Sequence, residues 1–152
     1  MIIQKDLQSD FPKAQVFYSS VKYYSKIQSE DIVFSARDDN EIVGVVRLAL
    51  ENECLVLRGM MIAKSHQRKK IGSLMLGELE KSIGAQDCFC IPHGWLEGFY
   101  GQIGFEKVEE SLAPLHLQKR INANREDYPH LIMMKRYSVN RSNLNAKNIK
   151  KK

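Results

Sequence analysis

The pattern of apolar residues between positions 55 and 84 predicts a strand followed by a helix. Apolar side chains fill 55–57 and 60–63, as expected of a strand that is buried on both faces. Further along, apolar residues recur at helical spacing and form one stripe: Ile71, Leu74, Met75, Leu79 and Ile83. Gly84 stands where a left-handed residue commonly ends a helix. The central segment is therefore predicted to be a strand, a loop and an amphipathic helix.

The loop between this strand and this helix, 64–73, is basic and contains no acidic residue. The N–H groups at a helix start lack intrahelical partners and carry partial positive charge, so such a turn can bind phosphate. Arg68, Lys69 and Lys70 would strengthen that binding, although a solvated basic turn would have the same composition. The glycine patterns of Walker-type and dinucleotide-binding loops are absent from the sequence.

Several strands are predicted before the loop. Strand-like runs at 31–37, 42–50 and 54–63 are separated by two short polar turns, which indicates an antiparallel meander. Two further elements are predicted before these strands. They are a short strand at 1–4 and a helix that begins near Ser9 or Asp10, with Pro12 in its first turn. The predicted apolar face of that helix is irregular and consists of Val16, Phe17, Val21, Tyr24 and Ile27.

The chain after Gly84 predicts further short elements. Residues 87–91 form a strand, and a strand–helix–strand unit normally places its two strands parallel to each other. This strand is followed by a helix that contains Leu96, Phe99, Tyr100 and Ile103 and by a strand at 105–108. A helix or long loop then occupies 115–125, and the last strand lies at 131–137. The fold class is therefore α/β, with a mixed, mostly antiparallel sheet and helices on both faces.

Composition limits the class of protein. The 152 residues are 43% apolar and sufficient for one domain with a real core. No stretch approaches the roughly 18 to 20 apolar residues of a membrane span, and the first residues lack the apolar segment of a signal peptide. Three cysteines, an odd number, do not suggest a disulfide framework, so we expect a cytoplasmic protein.

The net charge of +5 is concentrated at the C-terminus. The last twelve residues carry five lysines and arginines and no acid, so residues 1–140 are formally neutral. We therefore divide the chain into a folded domain, 1–138, and a basic tail, 139–152. The tail is predicted to be disordered and solubilising, since it lacks the apolar periodicity to pack; a weak contact with nucleic acid is the alternative.

Two segments resemble the GCN5-related N-acetyltransferase (GNAT) family. Gln67-x-x-Lys70-Ile71-Gly72, after a strand and at the start of a helix, is similar to the family's pyrophosphate loop, Gln/Arg-x-x-Gly-x-Gly/Ala. Lys70 departs from it, because the family's first glycine usually occupies that position. Downstream, 98–105 resembles the family's Tyr-x-x-x-Gly-Phe segment, with Tyr100 as its tyrosine. The resemblance extends over roughly 32–137.

The resemblance implies an acetyl-CoA-dependent N-acetyltransferase, a transferase with acetyl-CoA as co-substrate. It implies that the pantetheine arm pairs with backbone groups of Met61, Ile62 and Ala63, which would be unpaired where the strand splays from its neighbour. The pyrophosphate would contact the loop and the helix start: Gln67, Arg68, Lys69, Lys70, Ile71, Gly72 and Ser73. We expect Lys70 to restrict the backbone while its ammonium reaches the phosphates.

Tyr100 is the implied catalytic residue. An acceptor amine would attack the thioester directly, with the backbone near Ile62 polarising the carbonyl and the Tyr100 phenol protonating the leaving thiolate. A core tyrosine that holds helix to sheet is the alternative. The sequence shows no clear general base, because Arg58 stands where some family members have a glutamate on the central strand.

The acceptor is assigned only as an amine on a small molecule or peptide. Candidate acceptor contacts are Arg58, which could instead form an ion pair, Tyr24 and His93. Cys88 and Cys90 are predicted to be buried thiols rather than metal ligands, since no second Cys/His cluster accompanies them. A CoA-binding module without turnover and a nucleic-acid-associated protein are the alternative functions, and we expect a monomer or homodimer without membrane association.

Overall fold

The computed structural model describes residues 1–138 and shows an α/β fold with mostly antiparallel strands, as predicted. The described residues form two compact units, Met1–Ser82 and a second unit that begins at Ile83. The basic tail predicted at 139–152 lies outside the described residues. Among the helices that the structure describes, none is long and apolar enough to cross a membrane.

The first unit contains four consecutive antiparallel strands: β1 (Ile2–Lys5), β2 (Ile32–Asp38), β3 (Glu41–Glu51) and β4 (Cys54–Ile62). The predicted meander is confirmed. Two-residue turns join β2 to β3 and β3 to β4, and all four turn residues have positive φ: Asp39, Asn40, Asn52 and Glu53. This is the turn geometry that matches the right-handed twist of paired strands.

Helices α1 (Phe11–Ser20) and α2 (Ile71–Ile83) lie against opposite faces of β3. Val45 of β3 belongs to the apolar cluster that includes Phe17 and Tyr18 of α1. The adjacent Gly44 faces the other way, where a Cβ would lie 3.1 Å from the Met75 sulfur of α2. Successive side chains of a strand point to opposite faces, so the predicted placement of helices on both faces holds for this unit.

Both helices differ in detail from the sequence prediction. Helix α1 ends at Ser20, and its predicted apolar face is wrong in part. Val16 and Tyr24 are 70% and 80% exposed, whereas Phe17 and Ile27 belong to the apolar cluster and Val21 packs against it. The predicted α2 stripe also changes, because Leu74 is 55% exposed while Leu76 is fully buried. Successive residues advance by about 100° around a helix, which places Leu74 outside the arc of the other buried positions. The left-handed Gly84 that ends α2 is confirmed, with φ of +57°.

The second unit contains β5 (Cys88–Cys90), α3 (Glu97–Gly101), β6 (Glu106–Lys107), α4 (Leu115–Asn124) and β7 (Met134–Arg136). Its strands run in the order β5-β7-β6 and both pairs are antiparallel. The segment predicted as a helix or a long loop is the helix α4. Arg125, which follows it, contacts the Glu110 carboxylate with both terminal nitrogens and donates to the Leu131 carbonyl.

Candidate functional site

A β-bulge interrupts β4 at Gly59. Before the bulge Arg58 pairs with Arg47, and after it Met61 pairs with Val45, so two residues of β4 oppose one of β3. Gly59 has φ of +66°, in the left-handed region that glycine adopts without steric cost. An isolated glycine within a strand pattern is the sequence signal that indicates such a bulge.

The bulge determines which peptide groups of β4 face β3. In an antiparallel ladder the peptide groups of alternate residues point toward the partner strand. The Ala63 N–H donates to the Val43 carbonyl at 2.8 Å, and the intervening residue Ile62 is paired with Gly44. The peptide groups of Ile62 therefore point away from β3. Without the extra residue the register would pair Ile62 with Val43, and its peptide groups would point toward β3.

The end of β4 therefore differs from the prediction of unpaired backbone groups at Met61, Ile62 and Ala63. Ala63 donates to β3, and Met61, two residues earlier in the ladder, has the same orientation. The Ile62 carbonyl accepts a hydrogen bond from the Gln67 side-chain amide at 3.1 Å. Alternation within the ladder is the reason that only Ile62 of the three is directed away from β3.

A single 3-10 turn, Lys64–His66, connects β4 to the basic loop and is fastened to the β2–β3 turn. The His66 Nε2 lies 2.9 Å from the Asp38 carboxylate, and Ser65 Oγ lies 2.7 Å from the His66 Nδ1. The hydrogen bond with His66 holds the pKa of the Asp38 carboxyl below its ordinary value. These contacts fix the direction in which the chain leaves β4.

The loop then enters α2 through two left-handed residues, Arg68 with φ of +65° and Lys70 with φ of +62°. Lys70 thus adopts the conformation for which glycine is the usual residue, at a steric cost of about 1–2 kcal/mol. Its carbonyl accepts the first helical hydrogen bond, from Leu74 N at 3.1 Å. The N–H groups of the first turn, Ile71, Gly72 and Ser73, precede that bond.

The charge around these N–H groups is positive. Arg68, Lys69 and Lys70 are all exposed, and no acidic residue occurs between positions 64 and 77. The partial positive charge at the start of a 13-residue helix adds to the field of the three side chains. The loop and first turn, 67–73, therefore form a site with the chemistry to bind a phosphate or diphosphate.

Arg58 forms an ion pair, which was the alternative to its predicted role as an acceptor contact. Its Nη1 lies 3.1 Å from the Glu51 Oε2 on the adjacent strand β3. The Arg58 side chain is 30% exposed and that of Glu51 is 16% exposed. The positive charge predicted to hold an acidic acceptor is thus balanced within the protein. Tyr24, the second predicted acceptor contact, follows α1 and is largely exposed.

Tyr100 and His93 belong to the second unit. Tyr100 lies in α3, is 5% exposed and packs edge-on against Phe99 and Phe105 at ring distances of 4.9 and 6.2 Å. His93 precedes α3, stacks on Trp95 with ring centroids 4.4 Å apart, and meets the ring of Tyr128 edge-on. No sequence motif had indicated Trp95 or Tyr128 as neighbours of His93.

The cysteines are free thiols, as predicted. Cys88 and Cys90 are buried in β5, and burial raises the pKa of the Cys90 thiol well above its ordinary value, so this thiol stays protonated. Within residues 1–138, no three histidine, cysteine, aspartate or glutamate side chains are grouped closely enough to hold a metal ion.

Comparison with protein families gives one match for most of the chain. Residues 5–117 match the family model described as the acetyltransferase (GNAT) domain. No curated protein sequence matches the chain. The matched range includes the bulge, the basic loop, α2 and Tyr100.

Solved structures share the fold at low sequence identity. N-acetylglutamate synthase from Neisseria gonorrhoeae, solved with coenzyme A and N-acetyl-glutamate, is 15% identical with a TM-score of 0.65; the match covers 89% of this chain and 34% of that one. The chain thus spans about a third of the length of that protein. An acyl-CoA N-acyltransferase from Pseudomonas aeruginosa is 13% identical with a TM-score of 0.62, and the match covers 90% of this chain and 99% of that one. Rv2747 from Mycobacterium tuberculosis, in complex with CoA, is 12% identical with a TM-score of 0.66, and the match covers 91% of this chain and 100% of that one.

Two substitutions at Lys70 test the strain in the loop. Lys70→Gly and Lys70→Ala remove the same charge, but only glycine takes the left-handed conformation without steric cost. We expect Lys70→Gly to be more stable than Lys70→Ala by about 1 kcal/mol in urea denaturation. Equal free energies of unfolding would show that residue 70 is not held in this conformation in solution.

Proposed function

The chain belongs to the GNAT family of acyl-CoA-dependent N-acyltransferases, and we propose that it transfers an acetyl group from acetyl-CoA to an amine of a small molecule or peptide. The observation that carries the proposal is the start of α2, where the first-turn N–H groups directly follow three exposed cationic residues and positions 64–77 contain no acidic residue. Such a site suits the diphosphate of CoA.

The residues of the first unit fit a bound acetyl-CoA, which would supply the activated acetyl thioester. The N–H groups of Ile71, Gly72 and Ser73 would donate to the diphosphate, and Lys70 would add a positive charge beside it. Ile62, whose peptide groups point away from β3, would pair with the pantetheine arm and polarise the thioester carbonyl. The Gln67 side chain, which now donates to the Ile62 carbonyl, would lose that bond if the pantetheine donates there.

Two aspartate substitutions in α2 test the diphosphate site. Gly72→Asp puts a negative charge among the first-turn N–H groups, where it favours the helix but repels phosphate. Gly77→Asp puts the same charge on an exposed part of the same helix, where no neighbour lies within 4 Å of a Cβ. We expect Gly72→Asp to raise the acetyl-CoA KM at least about tenfold and Gly77→Asp to change it less than about twofold.

The assay for these variants is the release of free CoA thiol with a panel of amines. Thiol release by the wild-type protein separates catalysis from CoA binding without turnover. Binding of acetyl-CoA with no release by any amine would contradict the proposed function. Equal KM values for the two aspartate variants would contradict the assignment of the diphosphate to the start of α2.

Tyr100 is proposed as the general acid. The acceptor nitrogen forms a bond to the carbonyl carbon, the carbon–sulfur bond breaks, and the phenol gives its proton to the departing thiolate. The proton that the nitrogen loses passes to water, and water reprotonates the phenolate. With ordinary pKa values near 10 for tyrosine and 8.5 for a thiol, this transfer is uphill in water. The contribution of Tyr100 as an acid therefore depends on how the site stabilises the departing thiolate and the phenolate, and not on these solution values.

Tyr100→Phe is expected to lower kcat by about 100-fold while the dissociation constant for CoA stays within about twofold. The substitution keeps the ring and its edge-on contacts with Phe99 and Phe105 but removes the proton. Steady-state thiol release gives kcat, and calorimetry gives the dissociation constant for CoA. A parallel loss of both would instead assign Tyr100 a structural role.

The ring cluster around His93 is proposed as an acceptor contact. Trp95 and Tyr128 are 67% and 54% exposed, and the exposed acids Glu97 and Asp127 lie close to them in sequence. Aromatic faces with nearby carboxylates attract cations. This favours an amine that bears a second positive charge over an acidic acceptor.

Trp95→Ala is expected to raise the KM for a dicationic amine about five- to tenfold, because a cation–π contact contributes about 1 kcal/mol. The acetyl-CoA KM should not change. Leu112→Ala, which removes another exposed apolar side chain of the same unit, is the control. An unchanged amine KM in Trp95→Ala would exclude the cluster from acceptor binding.

A further inference from the structure

The phenol of Tyr18 contacts the bulge that orients Ile62. Tyr18 lies in α1, is fully buried, and donates a hydrogen bond from its hydroxyl to the Gly59 carbonyl at 2.8 Å. The two residues are 41 positions apart in sequence, so this bond joins distant parts of the first unit. A bulge leaves backbone groups without their ladder partners, and Tyr18 supplies a partner for one of them.

A buried charged group holds the Tyr18 ring in place. The guanidinium carbon of Arg47 lies 5.4 Å from the ring centroid, and the Arg47 side chain is 1% exposed. Asp31 balances its charge at 3.2 Å, and Ser25 Oγ accepts a hydrogen bond from its Nη2 at 2.6 Å. Tyr23 packs edge-on against the same ring, with centroids 4.8 Å apart.

The protonation state of the phenol suits its role as a donor. Burial raises the pKa of Tyr18 far above its ordinary value, and the nearby Arg47 opposes that shift only in part. The hydroxyl therefore keeps its proton at neutral pH and can donate to the Gly59 carbonyl continuously.

The contact leaves no room for a side chain at the bulge. A Cβ on Gly59 would lie 2.3 Å from the Tyr18 hydroxyl oxygen and 2.8 Å from the Arg47 Nη1. Gly59 is therefore required both by its left-handed φ and by the close approach of the phenol. The bulge, the phenol and the guanidinium are packed as one assembly.

We propose that Tyr18 is a positioning residue for acetyl transfer: its hydrogen bond to the Gly59 carbonyl fixes the bulge and thereby turns the Ile62 peptide N–H away from β3, toward the thioester carbonyl. The proposal rests on the proposed function. Tyr18 itself touches no reacting atom. Its effect passes through the register of β4, because the extra residue at the bulge decides which peptide groups face β3.

Tyr18→Phe tests this role, since it keeps the ring and removes the hydroxyl. We expect kcat to fall about tenfold or more, because a small misplacement of a catalytic donor is costly, while the CoA dissociation constant stays within about twofold. Tyr23→Phe is the matched control: it removes a hydroxyl from the adjoining ring and should leave kcat within about twofold.

Amide chemical shifts provide a second readout that does not depend on activity. In Tyr18→Phe we expect the largest backbone shifts and faster hydrogen exchange at Gly59–Ile62, and in Tyr23→Phe no such change. Unchanged shifts at these residues, or an equal loss of kcat in both variants, would overturn the proposal. If the wild-type protein released no thiol with any amine, the proposed function would fail, and the amide shifts would still decide whether Tyr18 fixes the bulge.

Discussion

The register change at Gly59 is the constraint on which the rest of the first unit depends. A strand has two edges, and alternate peptide groups belong to each. By inserting one residue, the bulge transfers Ile62 from the edge that pairs with β3 to the opposite edge. The same strand then ends at the turn that leads to α2. One local feature thus sets both the direction of the Ile62 peptide and the point from which the basic loop begins.

The loop adds a second constraint, which is electrostatic. Its left-handed residues, Arg68 and Lys70, turn the chain so that α2 begins with N–H groups ahead of the first helical bond. Glycine would form this turn with less strain, but lysine brings a charge to the position where a diphosphate would be bound. Lys70 therefore departs from the family pattern in its side chain, while its backbone adopts the left-handed conformation that glycine adopts without steric cost. Because residues 1–140 are formally neutral, this local positive charge does not reflect a generally basic surface.

Features set by local pattern could be predicted from the sequence, and features set by long-range contacts could not. The hairpins follow from two polar turns between apolar runs, and the end of α2 follows from Gly84. The burial of Leu76 instead of Leu74 depends on how α2 is rotated against the sheet, which periodicity does not fix. The Tyr18 contact joins residues 41 positions apart, and the stack of His93 on Trp95 depends on the chain path after β5. The loop motif and Tyr100 were recognised only through the family resemblance, since composition alone also fits a solvated basic turn.

The most direct test of this account is a crystal structure of the wild-type protein with acetyl-CoA at saturating concentration. The account predicts diphosphate oxygens within hydrogen-bond distance of the N–H groups of Ile71, Gly72 and Ser73, and the thioester carbonyl facing the Ile62 N–H. A diphosphate bound elsewhere, or a first turn of α2 that is occupied by the protein's own carboxylates while acetyl-CoA is present, would contradict it.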